Sequence, residues 1–162
     1  MPFHVRRATA ADIPTLRSAR LEALADMPQA FGSTYERDAA RTMEDWQRWL
    51  SPGAVFLLEC EGNHIDGIVA GAHDKTDASM VWLMAMWVRA ALRGTGAAAA
   101  LVEAVKIWAT DEGASEIRLK VIDTNGRARG FYERMGFQWT GRTNPRERDG
   151  MTELEMSCPA PG

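Results

Sequence analysis

Arg93-Gly-Thr-Gly-Ala-Ala98 and Asn125-Gly-Arg-Ala-Arg-Gly-Phe-Tyr-Glu-Arg-Met-Gly-Phe137 are the two stretches on which the reading of this chain turns. The first lies between an apolar run, Met80-Val-Trp-Leu-Met-Ala-Met-Trp-Val88, and a segment carrying Ala98, Leu101, Val102, Val105, Trp108 and Ala109 at helical spacing. In the order strand, glycine loop, helix, the first backbone N–H groups of the helix have no intrahelical partner, and the helix dipole favours negative charge beside them. Small side chains let an anion approach those donors closely, and a pyrophosphate suits such a loop. Arg93 adds a cation able to make a charge-assisted contact.

The second stretch reads as one helix from Asn125 to Met135. Asn125 and Tyr132 lie two turns apart and share a face, with the small Ala128 between them leaving room for a ligand. A phenol with an ordinary pKa of ~10 stays protonated near neutral pH and can donate. A free thiolate has a pKa of ~8.5, so full proton transfer to it from such a phenol is uphill by roughly 2 kcal/mol. Tyr132 is therefore a hydrogen-bond donor that completes transfer only with help.

Taken alone, Gly94-x-Gly96-x-x-Ala99 also fits a dinucleotide-binding fingerprint, with Asp123 beyond the next strand as the ribose-binding acid. A dinucleotide domain needs more parallel strands after this unit, whereas a single helix and a reversing pair of strands follow, and a hairpin precedes it. A triphosphate P-loop needs a Gly-Lys-Ser/Thr ending that this loop lacks.

Arg93-x-x-Gly96-x-Ala98 followed by Asn125-x-x-Ala128-x-x-Phe131-Tyr132-Glu133-x-x-Gly136-Phe137 resembles the GNAT superfamily, N-acyltransferases that move an acyl group from coenzyme A to an amine. The resemblance implies one α/β domain over residues 1–162, with a mixed, mostly antiparallel central sheet flanked by helices and splayed between its fourth and fifth strands. It implies acetyl-CoA as co-substrate, no metal, and direct attack by the amine in a ternary complex. It assigns the coenzyme A pyrophosphate to Arg93, Gly94, Thr95, Gly96, Ala97 and Ala98, and pantetheine to the backbone of Met86, Trp87 and Val88. Asn125 falls on the cofactor side, and Tyr132 becomes the proton donor to the departing sulfur.

Many members of that family carry a glutamate on the central strand to deprotonate the amine, but Met80–Val88 holds no carboxylate. His73, Asp74, Asp77 and Glu36 are the ionisable groups that nearby segments offer, and none is assigned as the base. Tyr35, Trp46, Trp49 and Trp82 are expected to line an apolar acceptor pocket, which favours a small primary amine over a polycation. Protein lysine or N-terminal acetylation, and a non-catalytic acyl-CoA-binding module, stay open as alternatives.

Elsewhere, His4 to Ala8 reads as a first strand, and Thr9-Ala-Ala-Asp12 as the cap of a helix burying Ile13, Leu16, Ala19, Ala23 and Leu24. Two short helical stretches follow between Ala30 and Leu50, the second capped at Thr42. Ala54 to Glu61, a Gly62-Asn63 turn and Ile65 to Ala72 make a hairpin. The wholly apolar Met80–Val88 is expected to lie centrally, covered on both faces. Glu116 to Ile122 is the next strand, and Phe137 to Gly141 with Met151 to Ser157 a closing antiparallel pair.

A chain of 162 residues with net charge −3 is long enough to remove about 70% of its unfolded surface from water. Interspersed charge gives no general field for nucleic acid, and the basic cluster Arg142 to Arg148 is read as a solvated loop. The apolar runs are too short for a membrane span and the start does not read as a signal peptide, so a cytoplasmic protein is expected, with Cys60 and Cys158 as inert thiols. The sequence leaves open whether the chain is a monomer or a homodimer.

Overall fold

The computed structural model describes residues 3–60 and 64–161. Strand β1 (His4–Arg7) leads into the expected cap, where the Asp12 carboxylate accepts from the Thr9 backbone N–H at 2.8 Å. Helix α1 (Ile13–Asp26) then buries Ile13, Leu16, Ala19, Ala23 and Leu24 along the side that the spacing predicts. Arg20 is buried with them, and its guanidinium meets the fully buried Asp38 at 2.8 Å. Asp38 lies in α2 (Tyr35–Ala39), so this internal pair fastens α2 to α1. Helix α3 (Met43–Leu50) starts at Thr42, whose hydroxyl accepts from the Asp45 N–H while Asp45 accepts in return from the Thr42 N–H.

The sheet contains β2 (Ala54–Glu59), β3 (Gly67–His73), β4 (Met80–Val88), β5 (Glu116–Ile122), β6 (Gln138–Pro145) and β7 (Thr152–Pro159) besides β1. Its spatial order is β1-β2-β3-β4-β5-β7-β6, and every neighbouring pair is antiparallel except β4 and β5. The hairpin of β2 and β3 forms as expected, while its Gly62-Asn63 turn lies outside the described residues. Helix α4 (Ala97–Asp111) follows β4, and α5 (Gly126–Arg134) follows β5.

Alternation along the strands feeds two cores. On one face α4 and α5 press Leu101, Val105, Trp108 and Tyr132 against Val81, Leu83, Ile117 and Leu119, with Phe137 completing the layer. On the other, α1 and α3 bring Leu16, Leu24 and Trp46 onto Leu57, Ile68 and Trp87. β4 is central and buried at both ends, Met80–Val81 and Trp87–Val88, but its middle at Met84 to Met86 is less covered. Met84 is 39% exposed, because past Trp82 the strand borders an opening in the sheet.

The strand β6 runs past Gly141 to Pro145, which takes Arg142 into the sheet. Arg142 stays exposed there, so the solvated reading of the basic cluster holds for Arg142 and fails for Arg146 and Arg148. Arg146 is 3% exposed, buried by contacts described below that no local sequence pattern announces.

Close packing of α4 on β3 depends on Gly71, where an added Cβ would lie 2.6 Å from the Trp108 ring. Trp108 is itself buried and has little freedom to yield. Gly71→Ala is expected to lower stability by about 1–3 kcal/mol in urea unfolding. Gly32→Ala, with nothing within 4 Å of the added carbon, should stay within about 0.5 kcal/mol of the parent.

Candidate active site

β4 and β5 pair at three positions only, Met80 with Glu116, Val81 with Ile117 and Trp82 with Arg118. From Leu83 onward the backbone groups of β4 on that side have no strand partner. A bulge accompanies the parting: Ile68 faces Trp87 and Ala70 faces Met84, so Val69 alone opposes Ala85 and Met86. Ala85 sits at φ 60, a left-handed conformation that costs a residue with a Cβ about 1–2 kcal/mol. The gap between the strands is a cleft of about 460 Å³.

One end of the cleft is built by the glycine loop. Gly94 at φ 80 and Gly96 at φ 93 turn the chain in conformations that side chains disfavour. The first bond of α4 runs from the Ala100 N–H to the Gly96 carbonyl, so the amides of Ala97, Ala98 and Ala99 lie ahead of the helical ladder. Gly96 is the N-cap and brings no side chain to occupy them, which leaves a positive dipole end facing the cleft. Arg93 lines the same end, with Nη2 2.6 Å from Asp26 and Nε donating to the Val88 carbonyl at 3.0 Å. Its charge is thus partly neutralised from within the protein. Asp26 also accepts from the Trp87 indole at 3.0 Å, and these two donors hold its carboxyl below the usual range.

Helix α5 forms the second wall. Asn125 is its N-cap, accepting from the Ala128 N–H at 3.2 Å, which leaves its side-chain NH2 as the part open to a ligand. Arg127, Phe131 and Arg134, spaced i, i+4, i+7, join Asn125, Ala128 and Tyr132 along the cleft. Tyr132 is 8% exposed with its ring edge-on to Phe131 and Phe137, and burial pushes its phenol pKa above the ordinary value. The hydroxyl stays protonated across the working pH range. No group of the described residues bonds it.

A strap from Met27 to Ser33 closes the third side, placing Met27, Ala30 and Phe31 on the cleft. Two arginines from the turn between β6 and β7 fasten it. Arg146 Nη1 donates to the Gln29 and Phe31 carbonyls at 2.9 and 3.2 Å, and Arg148 Nη1 to those of Pro28, Phe31 and Ser33 at 2.8, 3.0 and 3.0 Å. Asp149 holds the Arg146 guanidinium at 2.7 and 3.1 Å, while Arg20 lies 4.7 Å beneath the Phe31 ring.

A profile of the acetyltransferase (GNAT) family matches residues 21–137. The chain belongs to the GNAT acetyltransferase family. Among solved structures, a GNAT acetyltransferase from Streptococcus pneumoniae is 18% identical over 99% of this chain and 100% of that one, with a TM-score of 0.81. The yncA protein of Salmonella typhimurium, solved with its cofactor acetyl-CoA, is 15% identical over 100% and 96% of the two chains at a TM-score of 0.77. Nourseothricin acetyltransferase is 25% identical over 68% of this chain and 67% of its own, at 0.62. A comparison with curated proteins finds no match.

For a GNAT acetyltransferase, whose acyl donor is acetyl-CoA, the cleft joins most of the cofactor residues expected from sequence. Met86, Trp87, Val88, Arg93, Gly94, Gly96, Ala98, Asn125 and Tyr132 all line it, whereas Ala97 is fully buried behind the loop. The Thr95 N–H and hydroxyl both turn back to the Leu92 carbonyl. The expected acceptor aromatics are not on the cleft. Trp46 is 2% exposed in the core beside Trp49, Tyr35 lies on the surface next to Arg148, and Trp82 gives its indole N–H to Asp74 at 2.8 Å.

None of the four ionisable groups considered as a base reaches the cleft either. His73 pairs with Glu112 at 2.9 Å, Glu36 is on the surface of α2, and Ser79 holds Asp77 below the usual carboxylate range. Asp74, bonded by Trp82, Thr76 and Asp77, is held at about 2. Among the described residues no Asp or Glu lines the cleft, and no group of three His, Cys, Asp or Glu is placed to hold a metal.

Sequence reading missed Arg127 and Arg134, although their spacing to Phe131 marks a helix face, and missed Lys120, which lines the cleft from β5. Arg146 had no such signal. Arg146→Met leaves the Gln29 carbonyl without its donor and takes both guanidinium bonds from Asp149, while Arg148 still donates to the Phe31 carbonyl, and is expected to lose about 1–3 kcal/mol in urea unfolding. Arg142→Met, whose side chain is 68% exposed, should change stability by less than about 0.5 kcal/mol.

Proposed function

We propose that this GNAT acetyltransferase is an N-acetyltransferase that transfers the acetyl group of acetyl-CoA to the primary amine of a small molecule by direct attack in a ternary complex. The observation that carries this reading is the cleft itself: unpaired β4 backbone on one side, a helix N-terminus at one end and a buried phenol inside. The exposed amides at the start of α4, with Arg93, Arg127 and Arg134, suit the phosphates of coenzyme A. The unpaired backbone of β4 suits pantetheine, and amides already fixed in a strand can stabilise the oxygen of a tetrahedral intermediate without reorganising.

In this reading the neutral amine attacks the thioester carbonyl, and collapse of the tetrahedral adduct expels the coenzyme A sulfur. Tyr132 donates a hydrogen bond to that sulfur. Its raised pKa widens the gap to a thiol, so the proton that finally reaches sulfur comes with help from the acylated ammonium. Tyr132→Phe is expected to reduce kcat about 10²–10⁴-fold while acetyl-CoA still stabilises the folded protein. Undiminished turnover would remove Tyr132 from the chemistry.

Deprotonation of the amine falls to its surroundings, since no carboxylate lines the cleft. An amine of pKa ~10.4 placed among Arg93, Lys120, Arg127 and Arg134 is biased towards its neutral form. The acid limb of kcat/KM is expected to move with the amine's own pKa across a series of acceptors. A limb fixed at one pH for all of them would instead point to a base on the enzyme. The same absence favours, as second reading, a module that binds acyl-CoA without turning it over, with release of thiol as the deciding measurement.

The cofactor part of the proposal is tested by thermal unfolding with acetyl-CoA, NADH and ATP. At 100 times its dissociation constant a ligand adds about 2.7 kcal/mol, and only acetyl-CoA is expected to do so. Stabilisation by NADH alone would mean that the glycine loop serves a dinucleotide. The two cysteines, neither in a disulfide, suit a reducing compartment such as the cytoplasm.

A further inference from the structure

Lys120 occupies the point where β4 and β5 part. It stands on β5 two residues beyond Arg118, the last residue of that strand paired with β4, and its side chain reaches back over β4 so that Nζ lies 5.4 Å from the centre of the Trp82 ring. Lys120 lines the cleft together with Met84 and Leu119, on the exposed polar side of the strand.

The carboxylates around Lys120 are already committed. Glu155, its register partner on β7, is 7% exposed and accepts from Arg118 Nη1 at 3.2 Å and from the Thr140 hydroxyl at 2.9 Å. Glu116 accepts from Arg118 and from the Ser157 hydroxyl, and Asp74 from the Trp82 indole. Among the described residues, no carboxylate lies within ion-pair distance of Lys120. Arg127 and Arg134 lie on α5, in its first and last turns, rather than on the sheet. Lys120 projects from the sheet at the narrow end of the cleft, where an acyl group threaded between the strands would end.

We propose that Lys120 is a specificity-determining residue that pairs with an anionic group on the acceptor, so that the substrate is a small amine also carrying an oxyanion, as an α-amino acid or an aminophosphonic acid does. The proposal rests on the acetyltransferase reading for its reaction and names the substrate class of the same cleft. Three observations converge on it. A polycationic acceptor would meet only like charge, because no carboxylate lines the cleft. An acceptor with one amine and one acid group can pair its anion with Lys120 while its amine, next to an ammonium, is favoured in the neutral form that attacks. The apolar side chains of Phe31, Met84 and Phe131 on the same cleft leave room for an uncharged remainder.

The experiment uses three matched series: L-α-amino acids, their carboxamides, and the corresponding 1-aminoalkylphosphonic acids, assayed by acetyl-CoA-dependent thiol release with the parent, Lys120→Met and Lys120→Glu. The better acid is expected to exceed its amide by about tenfold in kcat/KM, about 1.4 kcal/mol, and the preferred series tells carboxylate from phosphonate. Lys120→Met should abolish that preference and Lys120→Glu reverse it, each with an acetyl-CoA dissociation constant within a few-fold of the parent. A second readout needs no turnover: the melting temperature of the coenzyme A-loaded protein with N-acetyl amino acids against N-acetyl amino acid amides. Only the acids should raise it, and only in the parent.

Acids and amides used equally by the parent, or a preference that survives Lys120→Met, overturns the proposal while leaving the acetyltransferase reading in place. No turnover in any series, with the acids still raising the melting temperature through Lys120, retains the anion site and removes the acetyltransferase reading. Neither turnover nor an acid-specific rise overturns both.

Discussion

The parting of β4 from β5 is the constraint from which the rest of the site follows. A parallel pair that stops at Trp82 and Arg118 leaves one side of β4 without hydrogen-bond partners in the middle of a seven-stranded sheet, where unpaired backbone is costly. The bulge at Ala85 bends β4 away and commits the chain to that geometry through a left-handed alanine. Strain and unpaired backbone are thus gathered at one place, on the open side of β4. Because α4 follows β4 and α5 follows β5, the start of each helix falls beside the same opening, so one topological feature supplies the cleft, the helix N-terminus at its end and its phenol.

The remaining wall comes from far away in sequence. The strap of residues 27–33 has no regular structure to fix it, and its carbonyls are instead gathered by Arg146 and Arg148 from the opposite end of the chain. Arg20, paired to Asp38, supports the Phe31 ring from below. A buried pair of this kind is a weak source of stability, since desolvation offsets much of the attraction. Its consequence is positional: a short loop is held in one place against the cleft.

The fold was largely legible because its signals are local. Helix periods, the Thr9 and Thr42 caps, and a glycine loop following an apolar strand each specify structure over a few residues, and membership of the GNAT acetyltransferase family agrees with that reading. The glycine loop and the α5 face that line the cleft were legible for the same reason. The acceptor side was not: Trp46 and Trp82 suggested a pocket by residue type, yet Trp46 fills the core under α1 and Trp82 is turned to Asp74. What lines the cleft there, Phe31 from a strap and Lys120 from the polar side of β5, depends on tertiary pairing. Arg146 and Arg148 looked like solvated charge because their partners are backbone carbonyls more than a hundred residues distant, and carbonyls leave no trace in sequence.

Amide hydrogen exchange, measured residue by residue with and without acetyl-CoA, asks most directly whether the open side of β4 is the cofactor's binding surface. Slowed exchange concentrated at residues 84–88 and 94–99, the bulged half of β4 and the start of α4, is the result that this geometry requires. Protection by acetyl-CoA that spared both segments and appeared elsewhere in the sheet would contradict it.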